Sequence, residues 1–343
     1  MLRSVNLENF RNHHLASFEF SPTATAIVGS NGIGKTNLLE SIYLGSLTKS
    51  WRTNDHHLIR NGHQYYRVEL GYDDGEAAIA YQELPTGKTK QASWKERKIA
   101  LSQIVGKHPV VLFEPNQTQL FAEQPTLRRR YLDMFLSQVD PLYLSNSRKY
   151  RKLIAQRNRL LEELQYGGHQ DQLMIYTIQL IDPISYITKA RKEYLATIQE
   201  PINRLYQQLT KTKPLLITNY FATLDIDEDI GQQYLSIQDR EIRARRTLIG
   251  PHRDDFGINT DNQPVQNQLS RGELRALLLA IKYAEYSYLT SAGAAPMMLF
   301  DDVLSEFDSQ RRRRLLETNF DGQLIITTTE VGGHMSNLHI IEL

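Results

Sequence analysis

The chain contains no cysteine among its 343 residues, which excludes disulfides, thiolate metal sites and cysteine nucleophiles. It has no apolar run long enough to cross a membrane as a helix, and its first residues lack the charged-then-apolar layout of a signal peptide. A cytoplasmic protein with no membrane partner fits these absences. A charge excess is missing too: 40 Lys and Arg stand against 39 Asp and Glu, a formal net charge of +1. Any nucleic-acid binding must therefore come from local basic patches. There is no internal repeat and no low-complexity tract. What remains is an ordinary globular composition, long enough for one large or two modest domains with ample core.

Three stretches organise the sequence. Residues 1 to about 110 alternate short strand-like runs with turns such as Asp73-Asp74-Gly75 and Pro85-Thr86-Gly87, a β-rich pattern. From about 127 to 247 the periodicity predicts helices over Leu127–Val139, Tyr143–Tyr166, Gln172–Tyr206 and Asp239–Leu248, with a strand-like interruption near Leu215–Tyr220. Gly167-Gly168 and Lys213-Pro214 break this region. After Gly250-Pro251 the α/β character returns. The expected architecture is one lobe of residues 1–112 and 250–343 interrupted by a mainly helical lobe of residues 113–249.

Residues 29–36 read Gly-Ser-Asn-Gly-Ile-Gly-Lys-Thr, a complete G-x-x-x-x-G-K-[ST] phosphate-binding loop. Its context fits, because Ala24–Val28 looks like a buried strand and Asn37–Ile42 opens a helix. Gly29, Gly32 and Gly34 would let the backbone N–H groups of the loop, those of Ser30, Asn31 and Ile33 among them, face the phosphates of ATP. Lys35 would reach the β- and γ-phosphates, and the Thr36 hydroxyl would ligate Mg²⁺. The alternative is a glycine-rich turn that happens to match.

Pro296-Met297-Met298-Leu299-Phe300-Asp301-Asp302 describes a buried strand that delivers two carboxylates to its C-terminal edge, where α/β sheets bind ligands. Asp301 would hold Mg²⁺, and Asp302 would orient or deprotonate the water attacking the γ-phosphate. The alternative is a strand followed by an Asp-rich turn. Leu269-Ser270-Arg271-Gly272-Glu273 precedes an apolar stripe at helical spacing, Leu274, Leu277, Leu278, Ile281 and Ala284. Ser270 and Glu273 can be a simple capping box. Ser-x-Gly at a helix start, about 25 residues before the apolar strand, is also how ABC-type ATPases grip the γ-phosphate bound on an opposing subunit. Ser305-Glu306-Phe307-Asp308 follows the acidic pair where such ATPases carry a subunit-crossing loop. Gln323–Thr329 reads as the next strand.

The strings Glu8-Asn9-Phe10-Arg11-Asn12, the phosphate loop, Leu127–Asp133, Gln156-Arg157-Asn158, Gly250-Pro251-His252-Arg253-Asp254-Asp255 and Asp301–Asp308 occur together here. The whole chain thereby resembles the RecF family of bacterial recombination-mediator ATPases, related to SMC heads. The resemblance implies an α/β fold: an ABC/SMC-type P-loop ATPase head, lobe I, with an inserted helical lobe II. It implies ATP and Mg²⁺ as cofactors, Arg11 and Asn12 beside the nucleotide, and an ATP-dependent homodimer. In that dimer Ser270, Arg271, Gly272, Glu273 and Asp308 act in trans. It further implies binding of double-stranded and gapped DNA, weak DNA-dependent ATP hydrolysis as a switch, and a role in recombinational repair and replication-fork maintenance. RecR and RecO mediators and the RecA recombinase are partners by resemblance alone. The chain departs from the family pattern at Pro115-Asn116-Gln117, Glu123-Gln124-Pro125, Phe307, and Arg271 and Glu273, where glutamines are common. Gln117 is the candidate for sensing Mg²⁺ and the attacking water, the alternative being an ordinary loop residue.

Basic clusters are weaker signals. Arg311–Arg314 cannot form one helix face, since successive residues point about 100° apart. Arg148, Lys152 and Arg159 share a stripe and are candidates for DNA contact, with an ion-paired helix face as the alternative. Tyr143 and Tyr150 are expected in the core. Rival functions are an ABC transporter subunit or a nuclease-associated ATPase. A transporter subunit carries its two nucleotide motifs far closer together than the more than 230 residues between Thr36 and Ser270. A nuclease fusion would need an acidic metal domain after Asp308, where about 35 residues remain.

Overall fold

The computed structural model describes residues 1–122, 124–164, 171–210, 215–303, 322–329 and 338–343. The chain divides into two units, Met1–Thr118 with Arg275–Leu343, and Gln119–Leu274. The second limit lies beyond the expected 249, because strand Asp255–Thr260 pairs with Ile217–Phe221 inside the second unit.

The first unit holds two sheets. One is a five-stranded parallel sheet in the order His339–Glu342, Ala24–Val28, Leu324–Thr328, Met297–Phe300, Val110–Phe113. Its three strands Val110–Phe113, Met297–Phe300 and Leu324–Thr328 are buried at every position, as a strand covered on both faces must be. The register aligns Phe300 with Phe113 and with Ile326, and Thr328 with Val28. Gly29, Glu114 and Asp301 therefore all leave the sheet at one C-terminal edge. The other sheet is six-stranded, in the order His13–Glu19, Leu2–Phe10, Tyr65–Tyr72, Gly75–Leu84, Gly87–Trp94, Arg97–Ile99. Alternation in Tyr65–Tyr72 turns Tyr66, Val68, Leu70 and Tyr72 inward, the period of a half-covered strand.

Helix Lys35–Leu47 packs against strands of both sheets, and every residue from Leu38 to Leu47 is buried. A helix buried all round has no polar stripe, which explains its lack of amphipathic pattern. Gly45 lets it approach the antiparallel sheet, since a Cβ there would lie 2.1 Å from the Leu70 Cδ1 atom. The phosphate loop is thus joined to a helix clamped on two sides.

The second unit contains helices Pro125–Val139, Pro141–Glu163, Asp171–Thr210 and Ile230–Ala244, with a small antiparallel sheet of Ile217–Phe221, Asp255–Thr260 and Gln263–Pro264. The fourth helix corrects the expected Asp239–Leu248. It starts at Ile230, where the Asp229 carboxylate accepts the Gln232 N–H at 3.0 Å, and stops where Arg245 turns left-handed with φ 57. Tyr143 and Tyr150 are core residues as expected.

The Gly250–Asp255 segment organises the polar interior of this unit. Asp254 is fully buried and accepts the Tyr220 hydroxyl, the Thr223 N–H and the Thr223 hydroxyl, each at 2.7 Å. Arg128 forks onto Asp255 at 2.8 and 2.7 Å. Buried Arg157 meets Glu241 at 2.6 Å and the Thr247 hydroxyl at 2.9 Å. Gly250 has φ +113, and a Cβ there would fall 2.6 Å from the Tyr150 hydroxyl. The motif closes the core of the second unit, which is why polar residues sit at these positions.

Candidate functional site

The loop Gly29–Gly34 runs from the parallel sheet into the buried helix. Gly32 and Gly34 have φ +82 and +123, conformations that side chains resist. Asn12 fixes the loop from the neighbouring sheet: its amide donates to the Ile33 carbonyl at 2.7 Å, and its oxygen accepts from the Asn37 amide at 2.8 Å. A Cβ on Gly34 would lie 2.5 Å from the Asn12 amide nitrogen. The Lys35 ammonium folds over the loop onto the carbonyls of Gly29 and Ser30, at 2.7 and 3.0 Å.

Thr36 joins the loop to the acidic strand end. Its hydroxyl donates to Asp301 Oδ1 at 2.9 Å, across 265 residues of sequence. Thr327, on the adjacent strand, donates its hydroxyl to the same oxygen at 2.9 Å and accepts the Asp302 N–H at 2.8 Å. Asp302 itself holds a left-handed backbone, φ 50. Burial pushes the Asp301 carboxyl up from its ordinary range, while the hydroxyls of Thr36 and Thr327 pull it back. Glu114, leaving the same edge, is also pushed up, first by burial and then by Asp301 among its neighbours. Acids crowded into this edge favour a cation beside them.

A cavity of about 320 Å³ is lined by Asn31, Gly32, Gly34, Lys35, Thr36 and Asn37 with Arg52, Asp302 and Thr327. A second, of about 430 Å³, shares Asn37 and is walled by Arg11, Asn12, His57, Ile59, Arg60 and Asn61. Arg11 does not point its charge into open space: it forks onto buried Glu40, both contacts 2.9 Å. Ser50 donates to Glu40 at 2.5 Å and Arg52 reaches it at 3.4 Å. Glu40 thereby orients two arginines around the loop.

The remaining sequence candidates lie elsewhere. Gln117 sits on the turn Pro115–Thr118 after strand Val110–Phe113 and is not among the cavity's lining residues; its side-chain oxygen is buried and has no hydrogen-bond partner among the described residues. Ser270, Arg271, Gly272 and Glu273 belong to the second unit, at the start of helix Arg271–Ser291. The capping box is present: the Ser270 N–H and hydroxyl donate to one Glu273 oxygen at 2.9 and 2.7 Å, and the Glu273 N–H donates back at 3.3 Å. Ser270, Arg271 and Gly272 are nonetheless exposed. Arg148, Lys152 and Arg159 are exposed on helix Pro141–Glu163. Asp308, the rest of Ser305–Asp308, and Arg311–Arg314 lie outside the described residues. Sequence reasoning missed Arg52, Asn37 and Glu40, and read Thr327 only as part of the next strand.

Residues 1–338 match the family model described as the RecF/RecN/SMC N terminal domain. The chain is 35% identical over 347 residues to a DNA replication and repair protein RecF of Geobacillus sp. (strain WCH70), covering 97% of this chain and 93% of that protein. A protein of the same name from Staphylococcus haemolyticus is 34% identical over 349 residues, covering 97% and 94%. Among solved structures, the recombination mediator protein RecF-ATP in the RecFOR pathway superposes with a TM-score of 0.90 at 26% identity, covering 99% of this chain and 95% of that one. An Smc head domain from Pyrococcus furiosus shares the fold, with a TM-score of 0.55 at 17% identity over 99% and 92%. No described helix is long and apolar enough to cross a membrane.

Proposed function

The chain belongs to the RecF family, within the RecF/RecN/SMC group of ABC/SMC-type ATPases, and from that premise we propose that it is a recombination mediator switched by ATP. The observation that carries the ATP reading is the Thr36–Asp301 contact of 2.9 Å. It brings the phosphate loop and the acidic strand end together beside one cavity. In this reading the triphosphate lies in the cavity lined by Lys35 and Thr36, and the nucleoside extends past Asn37 into the second one. Lys35, now held by two carbonyls, supplies the compact positive charge for the β- and γ-phosphates.

Mg²⁺ fits the donors available. Among the described residues no three His, Cys, Asp or Glu side chains are grouped to hold a metal alone. One hydroxyl and one carboxylate do meet here, which is the sparse protein contribution Mg²⁺ takes when phosphates complete its shell. Thr36 and Asp301 would hold it, and its charge would offset the crowding of Asp301 and Glu114. Asp302 would take the proton from the attacking water, its backbone fixed by Thr327. Gln117, whose buried oxygen lacks a partner among the described residues and does not line the cavity, would have to turn toward it to meet the same water or metal shell.

Ser270, Arg271, Gly272, Glu273 and Asp308 of a second copy would complete the site, so ATP would drive dimerisation. The closed dimer would hold duplex DNA at gaps and help load a recombinase onto the single strand, together with RecO- and RecR-type mediators. Slow hydrolysis would reset it. The testing experiment compares Lys35→Met and Asp302→Asn by nucleotide binding, turnover and sedimentation. Lys35→Met should lose binding or turnover, whereas Asp302→Asn should bind ATP, accumulate dimer and fail to hydrolyse. Wild-type turnover in either variant would refute the assigned chemistry.

A further inference from the structure

Helix Pro141–Glu163 has two unlike faces. Tyr143, Ser147, Tyr150, Leu153, Ile154 and Leu160 are buried and hold it rigidly in the second unit. The opposite face exposes Arg148, Lys149, Arg151, Lys152 and Arg159. No Asp or Glu occurs from Pro141 to Leu161, so the helix supplies these cations with no local counter-charge. Among the described residues none of them enters an ion pair, and the ion-paired face expected as the alternative is not found. At 1.5 Å per residue the stretch from Arg148 to Arg159 covers about 17 Å.

A second set of cations lies at the end of a helix tied to this one. The buried Arg157–Glu241 pair and the bonds from the Thr247 N–H and hydroxyl to Asn158 Oδ1, both 2.8 Å, tie this helix to the end of helix Ile230–Ala244. That end exposes Arg240, Arg243, Arg245 and Arg246, none of them ion-paired among the described residues. Its acids offset them little. Glu241 is fully buried and occupied by Arg157 and the Leu248 N–H, which leaves Asp239 as the exposed acid on that turn; Glu162 and Glu163 close the first helix.

We propose that these two sets of exposed cations in the second unit receive the phosphate backbone of duplex DNA. The choice of partner rests on charge complementarity and spacing. A duplex carries one negative charge per about 1.7 Å of axis with both strands counted, so a length of about 17 Å holds about ten, of which a one-sided rail faces a part. The cations are long, flexible and spaced along a helix, which suits backbone contact without base reading. The proposal rests on the DNA-binding part of the function above but names a surface that does not contain the nucleotide site.

The test uses the full chain with ATP, magnesium and a blunt 30-base-pair duplex of arbitrary sequence, followed by fluorescence anisotropy across salt concentrations. Two triple variants are compared, Arg148→Gln with Lys152→Gln and Arg159→Gln, and Arg243→Gln with Arg245→Gln and Arg246→Gln. Each should weaken duplex binding at least tenfold near physiological salt. Each should also flatten the slope of log affinity against log salt by about one per lost contact. Melting temperature, ATP affinity and ATP-driven dimerisation should stay unchanged, because these residues are exposed and belong to the unit that does not carry the phosphate loop. Arg148→Lys with Arg159→Lys should retain most of the binding, since lysine also holds phosphate as a point charge. Unchanged duplex affinity and slope in both triple variants would overturn the surface. So would poly-aspartate displacing the duplex as well as unlabelled duplex does, which would mark a face for acidic protein. Wild-type duplex binding that ignores ATP, yet falls in the triple variants, would instead sink the ATP-coupled reading and keep the surface.

Discussion

His252 should make the second unit acid-sensitive. Its Nε2 lies 3.1 Å from the Thr247 carbonyl, which can only accept, so Nε2 carries the proton. Nδ1 then accepts from the Tyr150 hydroxyl at 2.6 Å. Burial lowers its pKa from 6.5 to about 4, with the charges of Arg253 and Arg129 adding to the effect. The folded value lies below the unfolded one, so folding favours the neutral ring. That contribution is complete above about pH 6.5 and is lost as pH falls towards 4. At 1.36 kcal/mol per unit the depression amounts to about 3 kcal/mol. Comparing wild type with His252→Gln isolates it, because glutamine keeps a donor and an acceptor but does not titrate, and the other carboxylates are common to both. Urea denaturation followed by circular dichroism from pH 8 to 4.5 should show wild type losing about 2 to 3 kcal/mol more than the variant over that range. A difference that stays level with pH would refute the buried neutral histidine.

Thr327→Val keeps volume but strands the Asp302 N–H and removes one donor from Asp301; a loss of about 1–3 kcal/mol is expected, with turnover falling more than ATP affinity in a binding and single-turnover assay. Gly34→Ala meets both a forbidden backbone and the Asn12 amide, so ATP binding measured by calorimetry should disappear; Gly32→Ala, with nothing within 4 Å of its Cβ, should be the milder change. Ser270→Arg separates a cap from a phosphate contact: loss of the cap alone costs about 1 kcal/mol and leaves dimerisation intact. Loss of ATP-driven dimerisation, with partial hydrolysis restored by mixing Ser270→Arg and Lys35→Met subunits, would place the serine in trans.

The phosphate loop was readable because its demands are local. Glycines must supply positive φ, and a strand and a helix must flank them. Asp301 and Asp302 were readable because a four-residue apolar run ending in acids has few other uses. Thr327, Arg52 and Glu40 were not, since each reaches the site only through sheet order or a turn of the buried helix. Helix Ile230–Ala244 was assigned to the wrong residues because Gly231 and the glutamines after it weaken the pattern, glycine by about 1 kcal/mol. The Asp229 cap that starts it outweighs this. The cations of Arg148–Arg159 were visible, but whether acids from other elements neutralise them depends on packing that sequence spacing does not show. Arg240–Arg246 joined them only through Thr247.

The left-handed backbone of Asp302 limits which residues can replace it without bending the chain. Asparagine and glycine adopt φ near +50 with little strain, whereas alanine or glutamate would add roughly 1 kcal/mol or more. That strain would fall on the peptide whose N–H is held by Thr327, next to the oxygen that Thr36 contacts. An alanine at 302 would therefore move the Asp301 carboxylate as well as delete the proposed base, and any loss of activity would report neither cleanly. The same constraint acts on inheritance. Of the single-nucleotide routes away from an aspartate codon, those to asparagine and glycine keep the turn and remove the carboxylate proposed as the base. If the proposed chemistry holds, a lineage that loses the carboxylate at this position by either route keeps a well-formed phosphate loop beside an intact strand end.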